Sequence, residues 1–559
     1  MKMNAESAKH LSAEGQPART HLLARVPWPL VLFAGVLILL LLDRYRYLTH
    51  FGFLYTDGDQ TTFWYQANDV AHGIFREPCV YGQDYNPPVE AWVAAPLLRA
   101  GVPAYVALPV VTVALALLPF VVLGVLAYRR GQRWGASVIL LIPLALPIEY
   151  AVVSSLPRGF VNGIAVATPA VACWVFGKSR GSFLAAGFFA VLGLTVNPNC
   201  SIVLLAAGVF ALLTHWRSWK FYLFSFLGGL AAAPAPILIS LFYRWHPQVV
   251  TYRPKVGSGF SWDLLRNSLI VPGRKGVMLA HAELDLFFAD FVPVVGGGHR
   301  GWVMLLVLPA LVVLLLFVKR MRAAVAVLAA SVFAIVCLGC ERIHSADFNV
   351  FYPGSRMYLA LPVLMALAWL WFDAGLRKRS KGPPGGRTLN VWAVGGRVVA
   401  IAALLGFAWC RRVGMLEAPS PFVTQSFLPP VESVERLRTD SKIVAEACRK
   451  YDVSLVLVGP GAYTCMNEGG PVLAHGSFET FYPYFERRTF LVAEERVKRH
   501  TAVLLYEPGW MQMAAALRRY PGCKVVSRLP ALLLVKPAAP GETGLDVAAA
   551  LGLVYRPNI

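Results

Sequence analysis

The sequence predicts a polytopic α-helical membrane protein that ends in an extracytoplasmic α/β domain, and three observations carry that expectation. Of its 559 residues 57% are apolar and only 15% charged, and apolar runs recur through the first three quarters of the chain, more than a soluble fold can hide. The runs lack the weak alternation of a membrane barrel. Hydrocarbon requires every backbone amide to bond within its own segment, so runs of this length are helices. Beyond about Glu417 the long runs stop and a soluble pattern begins.

About eleven transmembrane helices are expected, near 26–42, 104–128, 136–153, 160–177, 183–196, 201–214, 221–243, 302–318, 323–340, 357–373 and 391–410. The expected organisation is a cytoplasmic segment 1–25, a transmembrane domain 26–410 and a soluble domain 411–559. Basic residues orient it: Lys2, Lys9, Arg19 and Arg25 precede the first span, Arg129, Arg130 and Arg133 follow the second, and Lys319, Arg320, Arg322, Arg377, Lys378 and Arg379 follow later ones. All fall on one side of an eleven-span bundle, which puts the N-terminus in the cytoplasm and the C-terminal domain outside. These clusters beside anionic lipid account for much of the net charge of +21, so the charge does not point to nucleic acid.

The first span follows a charged head and ends in Leu42-Asp43-Arg44 with no small-residue cleavage pattern, which reads as an anchor rather than a removable signal. Nine cysteines show no metal-ligand spacing. Cys448, Cys465 and Cys523 would face an oxidising compartment, where a disulfide among them is conceivable, with no pairing deducible.

Three stretches lie outside the membrane: the loops 47–103 and 244–301, and the tail. In the first, Pro87 to Ala100 has the apolar content of a helix lying along the membrane surface. The second mixes Tyr252, Arg253, Lys255, Trp262 and Arg266 at headgroup level. The tail predicts a helix near 431–451, strands at Ser454 to Val458, Ala502 to Tyr506, Lys524 to Ser527 and Ala531 to Val535, and a helix from Trp510 to Tyr520. Gly459-Pro460-Gly461 lacks the Lys and glycine spacing of a phosphate-cradling loop and reads as a turn.

Chemistry concentrates in the first loop. Asp57 and Asp59 flank Gly58 just beyond the first span. Glycine permits a tight backbone there, so the two carboxylates can face one small volume and either hold a divalent cation or raise the pKa of one member into the range of a base. The bland alternative is a solvated turn. The segment continues through Ala71-His72-Gly73-Ile74-Phe75-Arg76-Glu77-Pro78 to Tyr85-Asn86-Pro87-Pro88.

With these residues the chain resembles the GT-C superfamily of polyprenyl-phosphate-sugar-dependent glycosyltransferases, in the branch of protein O-mannosyltransferases and lipid A aminoarabinose transferases. In that family an acidic pair opens the first external loop, followed by a small-residue-Gly-aromatic stretch, a proline and a Tyr/Pro-Pro element. The adjacent acidic pair of the family is Asp-Gly-Asp here, which leaves open which aspartate is the catalytic one. Arg356-Met357-Tyr358-Leu359 is similar to the family's Arg-Tyr-Leu entry into a late helix. The resemblance implies a GT-C-like membrane domain in a bacterial inner membrane, a polyprenyl-phosphate sugar as donor, and a glycan, lipid or protein as acceptor. It also implies Asp57, by preference over Asp59, as base. Arg356 would grip the lipid phosphate, as a guanidinium does bidentately, with Arg342, His344, Arg158 and Tyr85 as further donor-binding candidates. Family members differ in their need for a divalent cation, Mg or Mn, which Asp59 would hold.

Glu341, His344 and Asp347 would share a face at helical spacing, as a base, a phosphate contact or a local ion-pair network. His281, Glu283 and Asp285 read as a solvated helix face, and Asn197-Pro198-Asn199 as a turn. A transporter or flippase of lipid-linked saccharides, or a glycan polymerase, are the rival classes. The first would place charges at mid-membrane. The second would put its arginines in a large late loop.

Overall fold

The structure, a computed structural model, describes residues 28–56, 58–146, 148–247, 259–270, 301–342, 345–349, 357–380, 395, 397–406, 408–409, 432–458, 479–481, 483–484, 488–489, 502–506, 517–527 and 533–550. Each of the eleven expected windows holds helix. In order these are α1 (Trp28–Tyr47), then in the first loop α2 (Gly58–Ala71) and α3 (Val89–Arg99), followed by α4 (Ala104–Arg129), α5 (Arg133–Ala145), α6 (Ile148–Val153), α7 (Asn162–Phe176), α8 (Arg180–Val196), α9 (Ser201–His215), α10 (Trp219–Ala232) and α11 (Pro234–Trp245). After α12 (Trp262–Ile270) come α13 (Gly301–Phe317), α14 (Met321–Cys337), α15 (Leu361–Ser380) and α16 (Arg397–Gly406).

Four stretches, Trp28–Gly52, Ala104–Arg129, Pro198–His215 and Trp219–Trp245, are long and apolar enough to cross a membrane, and shorter apolar helices surround them. The window 136–153 is not one unbroken helix: α5 ends at Ala145 and its cap, Leu146, is extended (ψ 155°). Leu146 precedes Pro147, and the residue before a proline is pushed out of helical backbone. By contrast α10 runs into α11 through Pro234 and Pro236, because proline at the first turn of a helix lacks only an N–H that would be unbonded anyway.

Small residues let the bundle close. Gly187 of α8 lies against the backbone carbonyl of Ser225 on α10, and Gly228 of α10 lies against that of Leu184, so a Cβ at either would collide with main chain. The interior is built from Phe120, Leu123, Ile139, Ala167, Ala206, Ala330 and Leu364, all fully buried. Leu41, Phe226, Leu238, Val313 and Phe317 are exposed on the outside, as expected of helices whose solvent is lipid.

The expected helical face of Glu341, His344 and Asp347 is a correction: α14 stops at Cys337, and β2 (Glu341–Arg342) and β3 (Ser345–Asn349) pair as an antiparallel hairpin. Helical spacing therefore does not apply there, and successive side chains alternate across a strand instead.

In the tail, β5 (Val453–Val458) lies parallel to β6 (Glu479–Phe481) and to β9 (Ala502–Tyr506), and β11 (Leu533–Lys536) and β10 (Lys524–Ser527) add antiparallel strands in the order β10-β11-β9-β5-β6. Between β6 and β9 lies a separate short pair, β7 (Pro483–Tyr484) with β8 (Arg488–Thr489). The helix α17 (Val434–Tyr451) is N-capped by the Ser433 side chain, which accepts from the Arg436 N–H, and ends at Asp452 in the left-handed region (φ 50°). Its buried Leu437, Val444, Ala447 and Cys448 pack on Val453, Val456, Leu504 and Val535 of the sheet. A last helix, α18, covers Gly544–Ala550. Most of the expected helix 510–520 lies outside the described residues. Of the three cysteines considered for a disulfide, Cys448 and Cys523 carry free thiols and Cys465 lies outside the described residues.

The tail also reaches the first loop. The strand β1 (Tyr55–Thr56) pairs antiparallel with β4 (Glu432–Ser433), immediately before α17.

Candidate active site

The first loop folds into two helices joined by a polar, densely bonded turn. Helix α2 buries Phe63, Trp64 and Ala67 together with Gln60, Thr61, Gln66 and Asp69. Polar and apolar residues are buried alike, so it carries no amphipathic pattern. Asp69 is fully buried, and its Oδ2 accepts from Arg76 Nε at 2.7 Å and from the Tyr81 hydroxyl at 2.8 Å. The Arg76 guanidinium also lies 5.8 Å from the Tyr65 ring. Gln66 Nε2 donates to the Cys79 carbonyl at 2.8 Å. Thus α2 is fastened to the turn 72–83 by side chains of both.

Glu77 fastens that turn to the bundle. Its Oε1 accepts the Gly82 N–H at 2.9 Å and its Oε2 the Tyr243 hydroxyl of α11 at 3.0 Å, while Cys79 N donates to the same hydroxyl at 3.2 Å. Burial pushes the Glu77 carboxyl up to about 8, and the two hydrogen bonds only partly offset it.

A second knot gathers three loops. Asn86, at φ 65°, donates to the Arg158 carbonyl at 3.2 Å. The fully buried Glu90 of α3 accepts the Gly159 N–H at 2.8 Å and the Thr112 hydroxyl of α4 at 3.3 Å. Asn197 donates to the Gly159 carbonyl and Asn199 to the Phe160 carbonyl. Gly159 takes φ 80°, and a Cβ there would strike the Asn86 amide, so only glycine fits. Every main-chain group of the Arg158–Phe160 turn engaged here is bonded to a side chain, and Arg158 itself is buried. Burial pushes Glu90 up to about 8 as well.

Between these knots and the ends of α8 and α11 lies a cavity of about 460 Å³, lined among others by Cys79, Asp84, Tyr85, Thr195, Ser240 and Arg244. Its wall offers a carboxylate, a guanidinium, hydroxyls and an aromatic ring. That mixture suits a polyhydroxylated or charged ligand.

Of the residues singled out in the sequence, Tyr85 is half-buried in this wall and Arg158 sits on the turn tied to Asn86. Asp59 lies in the first turn of α2 and Arg342 on β2 opposite Ser345. Asp57, His344 and Arg356 lie outside the described residues, as do His281, Glu283 and Asp285. Among the described residues no group of three or more His, Cys, Asp or Glu could hold a metal ion. Sequence reading missed Asp69, Glu90 and Tyr243, quoted Glu77 only as part of the Ala71 to Pro78 stretch, and read Asn197 as part of a turn, which it is, without its bond to Gly159. The one available signal was Glu90, a single carboxylate inside the apolar run from Pro87 to Leu98.

The apolar helical bundle with its folded first loop, late hairpin and α/β tail is the architecture of a polytopic membrane protein, and it is shared with a solved one. The particular likeness is to ArnT from Cupriavidus metallidurans, a GT-C lipid A aminoarabinose transferase. Its apo crystal structure has a TM-score of 0.51 at 13% identity, covering 91% of this chain and 99% of that one. The crystal structure of that protein bound to undecaprenyl phosphate has a TM-score of 0.51 at 14% identity, covering 92% and 99%. No protein-family model and no curated protein matches the chain. At such identity it is the fold that is shared.

Proposed function

We propose that this protein transfers a sugar from a polyprenyl-phosphate donor to an acceptor at the outer face of a bacterial inner membrane. The observation that carries the reading is the ArnT likeness over nine tenths of the chain, one of the two structures being bound to undecaprenyl phosphate. The expected eleven spans with a cytoplasmic N-terminus would put the first loop, the cavity and the C-terminal domain at that outer face, and the pairing of β1 with β4 supports the loop and the tail lying on one side. A polyprenyl tail is soluble only in the bilayer, and its sugar reaches the headgroup level where these loops lie.

In this reading Asp57, or Asp59, takes the proton of the acceptor hydroxyl as it attacks the anomeric carbon, and the lipid phosphate leaves with inversion. Arg158 and Arg356, with Arg342 and His344, stabilise the departing phosphate. Tyr85, Asp84 and Arg244 in the cavity wall hold the saccharide. Asp59 is the position for a divalent cation, and no step above runs through one.

The test compares membranes from cells lacking the protein with cells carrying wild type, Asp57→Asn or Asp59→Asn, following lipid-linked sugars and glycan products by mass spectrometry. Wild type should consume one polyprenyl-phosphate sugar and yield a product heavier by that sugar. The variant of the base should be slower by about 10²–10⁴-fold. Unchanged turnover in both variants overturns the first-loop assignment.

A further inference from the structure

The strand β1 is two residues long and lies directly before Asp57, yet Thr56 is fully buried. A strand this short holds no position by itself. What holds it comes from the tail: Tyr55 pairs with Ser433 and Thr56 with Glu432, and the Val434 N–H donates to the Leu54 carbonyl at 2.9 Å. On its other side Tyr55 packs against Phe51, ring centroids 5.7 Å apart.

Val434 grips the far side of the acidic pair as well. Its side chain is buried in one cluster with Phe63, Trp64 and Ala67 of α2, the helix whose first turn contains Asp59. Four residues on, the Arg438 guanidinium lies 5.3 Å from the ring of Tyr105 at the start of α4. The segment carrying Asp57 and Asp59 is therefore held at both ends: its entry is bonded to the Val434 backbone, and the helix at its exit shares one buried cluster with the Val434 side chain.

We propose that Val434 and strand β4 are positioning elements for the reaction, so that the C-terminal module completes the active site by restraining the backbone on which the acidic pair is carried. The proposal rests on the transferase reading. Its physical basis is that a displacement of about 1 Å in a reacting group can cost as much as ~10²-fold in rate. A module that merely docked would stabilise the protein without setting its turnover.

The full-length protein in nanodiscs supplies the test. Val434→Pro removes the N–H to Leu54 while placing proline at the first position of α17, where it is favoured. Ser433, at φ −71° and ψ 126°, already has the backbone that precedes a proline. Val434→Ala keeps the N–H and loses packing. For Val434→Pro, faster hydrogen exchange at residues 54–60 is expected. Its kcat should be lower by about 10- to 100-fold, with KM for the polyprenyl-phosphate sugar within about twofold of wild type. Val434→Ala, which keeps the N–H to Leu54, should melt earlier and lower kcat by less than Val434→Pro does.

Turnover at the wild-type rate in Val434→Pro, or unchanged exchange at 54–60, overturns the proposal. Should Val434→Pro lose its melting transition, Arg438→Ala, which loosens α17 from α4 without touching the backbone, takes its place: slower turnover with faster exchange at 54–60 supports the proposal, and no change in either overturns it. If wild type transfers no sugar, the transferase reading fails, and with it the positioning role, while the exchange arm still decides whether the tail restrains this segment.

Discussion

The two ends of the helical bundle bury charge in opposite ways. At the end with the first loop, carboxylates do the bonding: Glu77 accepts the Gly82 N–H, Glu90 accepts the Gly159 N–H, and Asp69 accepts from Arg76 and Tyr81. At the other end the guanidiniums of Arg130, Arg377 and Arg320 donate to carbonyls at or near the ends of helices, beside the pairing of Arg397 with the buried Asp373. Arg130 donates to Phe176 at the end of α7, Arg377 to Arg130 at the cap of α4, and Arg320 to Ala374 within α15. A helix C-terminus carries partial negative charge and unbonded carbonyls, which most nearby cations can satisfy. A loop amide needs one acceptor in one place. Substitutions should therefore hurt unequally: the guanidinium end tolerates exchange, and the carboxylate end does not.

The largest expected effect is Asp69→Ala, which takes the carboxylate away from the buried Arg76 guanidinium, at a cost of about 3–5 kcal/mol of unfolding free energy. Denaturant titration in detergent measures it, and a cost below that of Arg377→Ala would break the comparison. Next comes pH. Glu77 and Glu90 hold their protons up to about 8 in the fold against an ordinary value of 4.5, so between those values the native state binds more protons than the unfolded chain. The stability they contribute is full below about 4.5 and is lost as pH rises through 8. Melting temperature should fall over that window in wild type and fall less steeply in Glu77→Gln. An identical slope in the two proteins would remove Glu77 from the account.

Gly159→Ala should cost about 1–3 kcal/mol, from a forced positive φ and collision with Asn86. Asn86→Ala in the same chain should recover part of that loss by clearing the space, and no recovery would place the strain elsewhere. Smallest is Arg377→Ala, half-buried and bonded to the Arg130 carbonyl, at about 1 kcal/mol or less. A larger loss there would mean that the two ends do not differ as argued.

The membrane helices were legible because long apolar runs leave hydrocarbon-compatible backbone one solution. The tail's strands at 453–458 and 502–506 were legible from short apolar runs bounded by turns. Strand β6, only three residues, was not. Helix α2 was hidden because its buried side is partly polar: Gln66 and Asp69 look solvent-facing until their partners, Cys79 and Arg76, are known. The hairpin at 341–349 was misread for a related reason, since charges three residues apart suggest a helix face only if the helix continues past Cys337. Among candidate residues, the sequence named Tyr85, which lies in the cavity wall, and Arg158, whose carbonyl is bonded to the neighbouring Asn86. It was silent on what ties them together, since Asn86, Glu90, Gly159 and Asn197 are spread over four segments.

The pairing of β1 with β4 has a consequence for biosynthesis. Leu54 to Thr56 leave the ribosome roughly 380 residues before their partner strand is made. At about 5–20 residues per second that interval is on the order of tens of seconds. During it the entry strand of the first loop is without its partner. If the tail positions the acidic pair as proposed, chains that stop short of Val434 turn over slowly, and completion of the tail is what brings the site to full rate.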